Sequence, residues 1–245
     1  MSTVVLLHTL GTGPEMWAAH EETLTTAGHR VLVPDLYRLA DRCTGKPSLD
    51  AMAAALGTSL DEQGVHRVVL AGCSLGGYLA MALLRRQPER VDGLALISTT
   101  AAADAPAARL ERLAFAERIT DPALTPLLTA RTAPLLLGAT TRARLLADIT
   151  AMAEAVAPED IAWTQRAIAA RPASFDVLAG FSGPAVVLAG AEDELIPAAE
   201  ARRMAGSLPN VSVHIVPGAG HLLPVEAPVA VHEALAGLLR QREAV

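Results

Sequence analysis

Residues 68–77 read Val-Val-Leu-Ala-Gly-Cys-Ser-Leu-Gly-Gly, and no other stretch says more about the fold. A run rich in β-branched residues leads into Gly-x-Ser-x-Gly, and an Ala- and Leu-rich run follows, which predicts a strand, a tight turn and a helix. Glycine two residues before and after Ser74 lets strand and helix approach closely while the serine takes a strained backbone conformation. The spacing therefore predicts a serine hydroxyl pushed out of the turn toward a reactant.

The helix predicted after this turn begins at Leu75. Its N-terminus places the positive end of the helix dipole beside Ser74, and the Leu75 amide can donate a hydrogen bond to a developing oxyanion. Gly-x-Ser-x-Gly also arises by chance in sequences that contain many glycines and serines. The interpretation depends on the strand and helix that flank it here.

Strand and helix patterns alternate along most of the chain. Six short apolar runs predict buried strands, at residues 3–8, 30–34, 67–73, 93–98, 184–189 and 211–216. Helical patterns lie at residues 15–27, 48–63, 75–87, 197–206 and 226–240. Strands that are apolar on both faces and alternate with helices are typical of α/β folds, so we expect a mostly parallel sheet of about six strands with helices on both faces.

The alternation breaks between residues 100 and 182, where helical patterns are punctuated by six prolines and no convincing strand appears. An insertion after the fourth strand would lie over the carboxyl ends of the strands, where such folds bind ligands. We therefore expect a core made of residues 1–99 and 183–245 and a helical cap made of residues 100–182.

Composition narrows the class of partner. The chain has 245 residues, 51% of them hydrophobic and 19% charged, and a net charge of -6 without a basic block. This size suits one catalytic unit, and the charge pattern does not favour nucleic acid or an anionic membrane, so a small-molecule substrate is expected. A homodimer and a monomer are both compatible with the sequence.

Other sequence signals concern compartment and cofactors. The N-terminus shows no positively charged leader, and no apolar run approaches the roughly 20 residues that cross a bilayer. With two cysteines, Cys43 and Cys73, a disulfide framework is not expected, which favours the cytoplasm. Zinc-binding and phosphate-binding motifs are missing from the sequence, so we expect neither a metal nor another cofactor.

The turn at Ser74 resembles the nucleophile elbow of the α/β-hydrolase superfamily, and the resemblance extends to both ends of the chain. Together with the length of the cap and the stretch Pro-Glu-Arg-Val-Asp-Gly-Leu at residues 88–94, it is most similar to small bacterial carboxylesterases and enol-lactonases. The resemblance implies a serine hydrolase that cleaves a small, largely apolar carboxylic ester or lactone through an acyl-enzyme.

The same resemblance assigns the remaining catalytic positions. The loop after the first strand is similar to the family's oxyanion loop, which makes the amide of Leu10 the second oxyanion donor. The turn after the fifth strand resembles the family's acid turn and implies Asp193, with Glu192 and Glu194 as competing carboxylates. The Gly-His loop after the sixth strand implies His221 as the base. The order Ser74, Asp193, His221 is the order that this superfamily uses.

Substrate specificity is less well defined by the sequence. Trp17, Tyr37 and Trp163 are candidate substrate-binding residues, with core packing as the alternative for the tryptophans and a surface loop as the alternative for Tyr37. Two other functions remain open on the same scaffold. One is a non-hydrolytic tailoring enzyme that catalyses a cyclisation or rearrangement, and the other is a ligand-binding protein.

Overall fold

The computed structural model describes residues 1–243, and a six-stranded sheet forms its centre. The strands are β1 (Thr3–Leu7), β2 (Arg30–Leu32), β3 (Val68–Cys73), β4 (Val91–Ile97), β5 (Ala185–Gly190) and β6 (Val211–Val216). They are all parallel and lie in the order β2-β1-β3-β4-β5-β6. The parallel α/β sheet that the sequence predicts is confirmed.

Neighbouring residues along the central strands pack into two separate apolar layers. In β1, Val5 and Leu7 belong to the first layer, whereas Val4 and Leu6 belong to the second, and β3 repeats this alternation. Because successive side chains of a strand point to opposite faces, a run that is apolar throughout needs cover on both sides.

Twelve α-helices occur in residues 1–243 and supply this cover. They are α1 (Ala18–Thr26), α2 (Leu36–Asp41), α3 (Leu49–Glu62), α4 (Leu75–Arg86), α5 (Pro106–Arg118), α6 (Thr125–Thr132), α7 (Ala139–Ala155), α8 (Pro158–Ala169), α9 (Phe175–Ala179), α10 (Ala198–Ala205), α11 (Leu223–Glu226) and α12 (Pro228–Glu243). Helices α2, α3, α4 and α10 pack on the first layer, and α1 and α12 pack on the second.

The chain between β4 and β5 is helical, as its proline-punctuated sequence predicts. It contains α5 to α9 and a 3-10 turn at Ala133–Leu136, and its described residues form no strand. Its interior is a small set of buried residues that we call the cap cluster: Ala116, Ile119, Leu128, Ile161 and Ala162. The side chain of Leu10, from the loop after β1, packs against this cluster as well as against the first layer. The insertion therefore covers the carboxyl end of β1.

Two elements differ from the sequence-based expectation. Helix α2 forms where the sequence allows a surface loop at Tyr37. Asp35 caps this helix by accepting hydrogen bonds from the amides of Tyr37 (2.9 Å) and Arg38 (3.3 Å). The last helix begins at Pro228, after the separate turn of α11. Within residues 1–243, none of the helices has both the length and the apolar character needed to cross a bilayer.

Candidate active site

Ser74 occupies a strained turn between β3 and α4. Its φ is 51° and its ψ is -109°, a backbone conformation that residues other than glycine seldom adopt. A Cβ on Gly72 would overlap the carbonyl group of Gly76, and one on Gly76 would overlap the carbonyl of Leu7 in β1. Both glycines of Gly-x-Ser-x-Gly are therefore required by the close approach of the strand to the helix.

The end of β4 holds this turn in place. The Ser74 amide donates to the carbonyl of Ile97 (2.9 Å), and the hydroxyl of Thr99 donates to the carbonyl of Ser74 (2.9 Å). Ser74 remains partly exposed, whereas the neighbouring Cys73 is buried. Burial raises the pKa of the Cys73 thiol well above its ordinary value, so the thiol stays protonated. Of these two adjacent side chains, only the serine is placed to react.

Asp193 and His221 meet at the carboxyl ends of β5 and β6. Oδ2 of Asp193 lies 2.8 Å from Nδ1 of His221, the carboxylate is fully buried, and the imidazole is 3% exposed. Oδ1 of Asp193 accepts from the amides of Leu195 and Ile196, both at 2.9 Å. A carboxylate fixed in this way holds the ring in one orientation and favours the tautomer with the proton on Nδ1, which leaves Nε2 free to accept a proton.

The loop that carries His221 contacts the serine turn through its backbone. Sγ of Cys73, the residue before Ser74, lies 3.7 Å from the carbonyl oxygen of His221. The two other acidic residues of the Asp193 turn bind helix α7 instead. Glu192 pairs with Thr140, and Glu194 lies 2.6 Å from the guanidinium of Arg142.

Glu226, at the end of α11, organises the loop of His221 from within. The carboxylate is buried and accepts hydrogen bonds from the amides of Gly138 (2.8 Å), Gly220 (2.9 Å) and Leu222 (2.9 Å) and from the hydroxyl of Thr141 (2.5 Å). Two of these amides belong to the residues on either side of His221. The other two donors lie at the start of α7, so Glu226 fastens the inserted helices to the His221 loop.

Three glycines allow the Asp193 turn, the His221 loop and the start of α7 to pack closely. A Cβ on Gly190, at the end of β5, would overlap the carbonyl oxygen of Gly220, and one on Gly220 would overlap the backbone of Gly138. The Asp193 turn, the His221 loop and the start of α7 therefore pack backbone against backbone. Their mutual distances cannot adjust to a larger side chain without backbone movement.

Two backbone amides without a protein acceptor occur in the segments that the sequence identifies as oxyanion donors. The Leu75 amide is the first of α4 and has no intrahelical partner, and the Leu10 amide lies in the loop after β1. Within residues 1–243, neither amide donates to a protein acceptor. A carbonyl oxygen that becomes negatively charged is a suitable acceptor for such a pair.

The three candidate substrate-binding residues are placed differently from one another. Trp17 is fully buried in the second apolar layer and packs edge-on against His20 with 5.3 Å between ring centroids. This placement agrees with the core-packing alternative for Trp17. Trp163 is partly buried and packs against the first layer. Tyr37 is buried, and its hydroxyl accepts a hydrogen bond from the amide of Gly11, in the loop after β1, at 2.9 Å.

The sequence gives no role to Glu226 or to Met16. A carboxylate five positions after a candidate base is a weak signal, because its partners Gly138 and Thr141 are more than eighty residues away. Met16 is buried, and its sulfur accepts from the hydroxyl of Thr12 at 3.1 Å, a contact that no spacing pattern predicts.

The chain matches the family model described as the alpha/beta hydrolase fold over residues 2–228, and it belongs to this family. The resemblance that the elbow suggests is thereby confirmed, and the class is that of a hydrolase-type enzyme.

Three similar proteins illustrate the range of the family. A thermophilic esterase from Thermogutta terrifontis has a TM-score of 0.90 and 31% identity, with 99% of this chain and 90% of that one covered. The enol-lactonase from Burkholderia xenovorans LB400 has a TM-score of 0.84 and 23% identity, covering 98% of this chain and 91% of that one, which shows the fold alone. A protein of Variovorax paradoxus named as a carbamate hydrolase, RutD, is 29% identical over 251 residues, covering 96% of this chain and 91% of that protein.

Proposed function

We propose that this chain is a serine hydrolase that cleaves a small, largely apolar carboxylic ester or lactone through an acyl-enzyme on Ser74. His221 removes the proton of Ser74 Oγ as the oxygen attacks the carbonyl carbon, and the amides of Leu10 and Leu75 stabilise the oxyanion. His221 then gives that proton to the leaving oxygen. Water attacks the acyl group, its proton passes to His221, and the return of the proton to Ser74 completes the cycle.

The observation that carries this proposal is the buried pair of Asp193 and His221, whose loop touches the strained turn of Ser74. A serine hydroxyl is a weak nucleophile on its own and needs a base whose ring is oriented by a third group. The pair supplies that base, and the two unpaired amides supply a place for the negative charge of the tetrahedral intermediate.

The surroundings of Leu10 support an apolar and uncharged substrate. Leu10 packs against the cap cluster, and beside it the partly buried side chains of Phe115, Leu124 and Val156 are also apolar. Burial raises the pKa of the nearby Tyr37 hydroxyl, and carboxylates, Asp160 among them, raise it further. A carboxylate on a substrate bound beside Tyr37 would be repelled by the same carboxylates.

Similar proteins are named as an esterase, an enol-lactonase and a carbamate hydrolase, and each of these names implies attack on an acyl carbonyl. A carbamate substrate is the second candidate, because the relative with that name is aligned along 96% of the chain. The negative charge near Tyr37 disfavours anionic substrates, but it does not discriminate between a neutral ester and a neutral carbamate.

The proposal is tested by comparing p-nitrophenyl butyrate with mono-p-nitrophenyl glutarate, which differs mainly by a terminal carboxylate, and with a neutral p-nitrophenyl carbamate. We expect kcat/KM to favour the neutral ester over the anionic one by roughly tenfold at low salt, with a smaller preference at high salt. Equal or better turnover of the anionic ester would contradict the substrate class. Faster turnover of the carbamate than of the ester would replace it with the second candidate.

A further inference from the structure

The loop after β1 contains one unpaired amide between two paired ones. The Thr9 amide donates to the sulfur of Met16 (3.4 Å), and the Gly11 amide donates to the hydroxyl oxygen of Tyr37 (2.9 Å). The amide of Leu10, between them, has no protein acceptor within residues 1–243. Leu10 is partly exposed, so its amide is the one donor of the three that stays available to a bound ligand.

Both acceptors are side chains from elements that follow this loop in the sequence. Tyr37 belongs to α2, and Met16 belongs to the 3-10 turn Pro14–Trp17. Both are buried, with exposed fractions of 6% and 4%. Met16 also accepts from the Thr12 hydroxyl, so its sulfur restrains the loop at two points.

The position of the Tyr37 hydroxyl is itself fixed from several directions. The carboxylate of Asp35 caps α2 at the Tyr37 amide, and Nε2 of His8 accepts from the Leu36 amide at 2.9 Å. The rings of His8 and Tyr37 lie 5.2 Å apart. His8 is fully buried at the end of β1, so the phenol is held against the strand from which the oxyanion loop begins.

The backbone of Gly11 shows why the loop needs this support. Its φ is +81°, a left-handed conformation in which glycine is favoured because it has no Cβ. Glycine is also the residue that gains most freedom when a restraint is removed. The hydrogen bond to Tyr37 is the restraint that the structure places on this peptide, which directly follows Leu10.

We propose that Tyr37 is a positioning residue of the oxyanion hole, with Met16 as its counterpart on the other side of Leu10, an inference that rests on the proposed function. By holding the amides of Gly11 and Thr9, the two side chains aim the Leu10 amide at the oxygen of the tetrahedral intermediate. Neither side chain needs to touch the substrate for this. The role therefore differs from that of a residue that binds the substrate in its ground state.

Tyr37→Phe tests the proposal, because it keeps the ring and removes the acceptor of the Gly11 amide. Misplacing a catalytic donor by about 1 Å can cost about 100-fold, so we expect kcat on p-nitrophenyl butyrate to fall by about 10- to 100-fold. KM is expected to stay within about twofold, since the lost interaction acts in the transition state. The Ki of a trifluoromethyl ketone, which adds Ser74 to give a tetrahedral adduct, is expected to rise by about the same factor as kcat/KM falls.

Tyr78→Phe is the matched control. Tyr78 is the only other tyrosine of the chain, is also buried, and stacks its ring on the guanidinium of Arg171 at 4.1 Å, a contact that phenylalanine retains. We expect this variant to keep kcat and Ki. Met16→Leu gives a second measurement that does not depend on Tyr37, with an expected fall in kcat of about threefold to tenfold because sulfur is the weaker acceptor.

Several outcomes would overturn the inference. Activity of Tyr37→Phe equal to that of Tyr78→Phe would show that the hydroxyl does not position the donor. A higher KM with unchanged kcat and unchanged Ki would assign Tyr37 to ground-state binding instead. If the wild-type protein neither hydrolysed esters nor formed the ketone adduct, the proposed function itself would be contradicted. This outcome needs no variant, so it is distinguishable from failure of the Tyr37 inference.

Discussion

Thr140 donates two hydrogen bonds to Glu192, from its amide to Oε2 at 2.9 Å and from its hydroxyl to Oε1 at 2.6 Å. These bonds hold the pKa of Glu192 below its ordinary value. The carboxylate next to the proposed catalytic acid is thus engaged with α7, on the inserted segment, while Asp193 is engaged with His221. Glu192 and Asp193 are adjacent in one turn, but Glu192 binds the inserted segment and Asp193 binds the proposed base.

This division predicts which carboxylate supports the base. Asp193→Asn should lower kcat by roughly 10³- to 10⁴-fold, because an amide at this position favours the wrong tautomer of His221. Glu192→Gln and Glu194→Gln are the matched controls within the same turn and should keep activity within about fivefold. The three variants are compared by steady-state ester hydrolysis. If Asp193→Asn kept wild-type kcat while either control lost activity, the role of catalytic acid would be reassigned to that control's residue.

Glu226 should matter for both stability and rate. Glu226→Gln replaces one acceptor oxygen with an amino group that faces backbone donors, which should lower the free energy of unfolding by about 1–3 kcal/mol. The rate should fall as well, because the lost bonds flank His221. Urea unfolding and kcat are the measurements, and Glu233→Gln on the exposed face of α12 is the control. An unfolding free energy equal to that of the control would show that the Glu226 network contributes nothing to stability.

Two glycine substitutions should act in opposite directions. Gly76→Ala forces a Cβ against the backbone of Leu7, so it should cost roughly 1–3 kcal/mol of stability or more and abolish activity by displacing Ser74. Gly237→Ala lies in α12, where the nearest atom to a new Cβ is 3.9 Å away, and should raise stability by about 0.4–1 kcal/mol. Thermal melts of the two variants give the comparison. A stable and active Gly76→Ala protein would contradict the geometry of the elbow.

Acid should weaken the fold through His20. Burial lowers its pKa, the hydrogen bond to the Pro224 carbonyl opposes this shift, and the nearby His232 adds to it. The unfolded chain therefore takes up a proton more readily than the folded one. The penalty is absent above the ordinary histidine pKa of about 6.5 and grows as the pH falls from there toward the lower pKa of the folded state.

The test is the free energy of unfolding measured between pH 7.5 and pH 5 on the wild type and on His20→Gln, whose side-chain amide can still donate to Pro224. We expect a shallower decline with acid in the variant. His66→Gln, at an exposed position, serves as the control and should follow the wild type. Identical slopes in all three proteins would rule out His20 as a source of acid sensitivity.

The sequence predicts the parallel sheet well, because strands and tight turns depend on local signals. Glycine spacing identifies the turn at Ser74, and β-branched runs locate the strands whose ends carry Asp193 and His221. Helix α2 is missed since six residues after a proline are too few to show helical periodicity. The sequence leaves Trp17 open between pocket and core, because chain position does not tell which way a side chain points.

Contacts that join distant segments are the part that sequence reasoning cannot supply. Glu226 accepts a hydrogen bond from Gly138, which is 88 positions away in the sequence. Residue 190 must lack a side chain because the backbone of Gly220 packs directly against it. The same holds for Tyr37, whose hydroxyl finds its partner 26 residues away at Gly11. These contacts depend on how the strands and helices pack in three dimensions, so a single sequence contains no local pattern that predicts them.

The most direct measurement is labelling with a fluorophosphonate, read by intact mass and peptide mapping, alongside turnover of p-nitrophenyl butyrate by wild type and Ser74→Ala. A covalent acyl-enzyme on Ser74 predicts one adduct per chain, mapped to Ser74, and loss of both labelling and at least about 10³-fold of kcat/KM in the variant. Labelling of Ser74→Ala at the wild-type rate, or activity within tenfold of wild type, would contradict a nucleophilic Ser74.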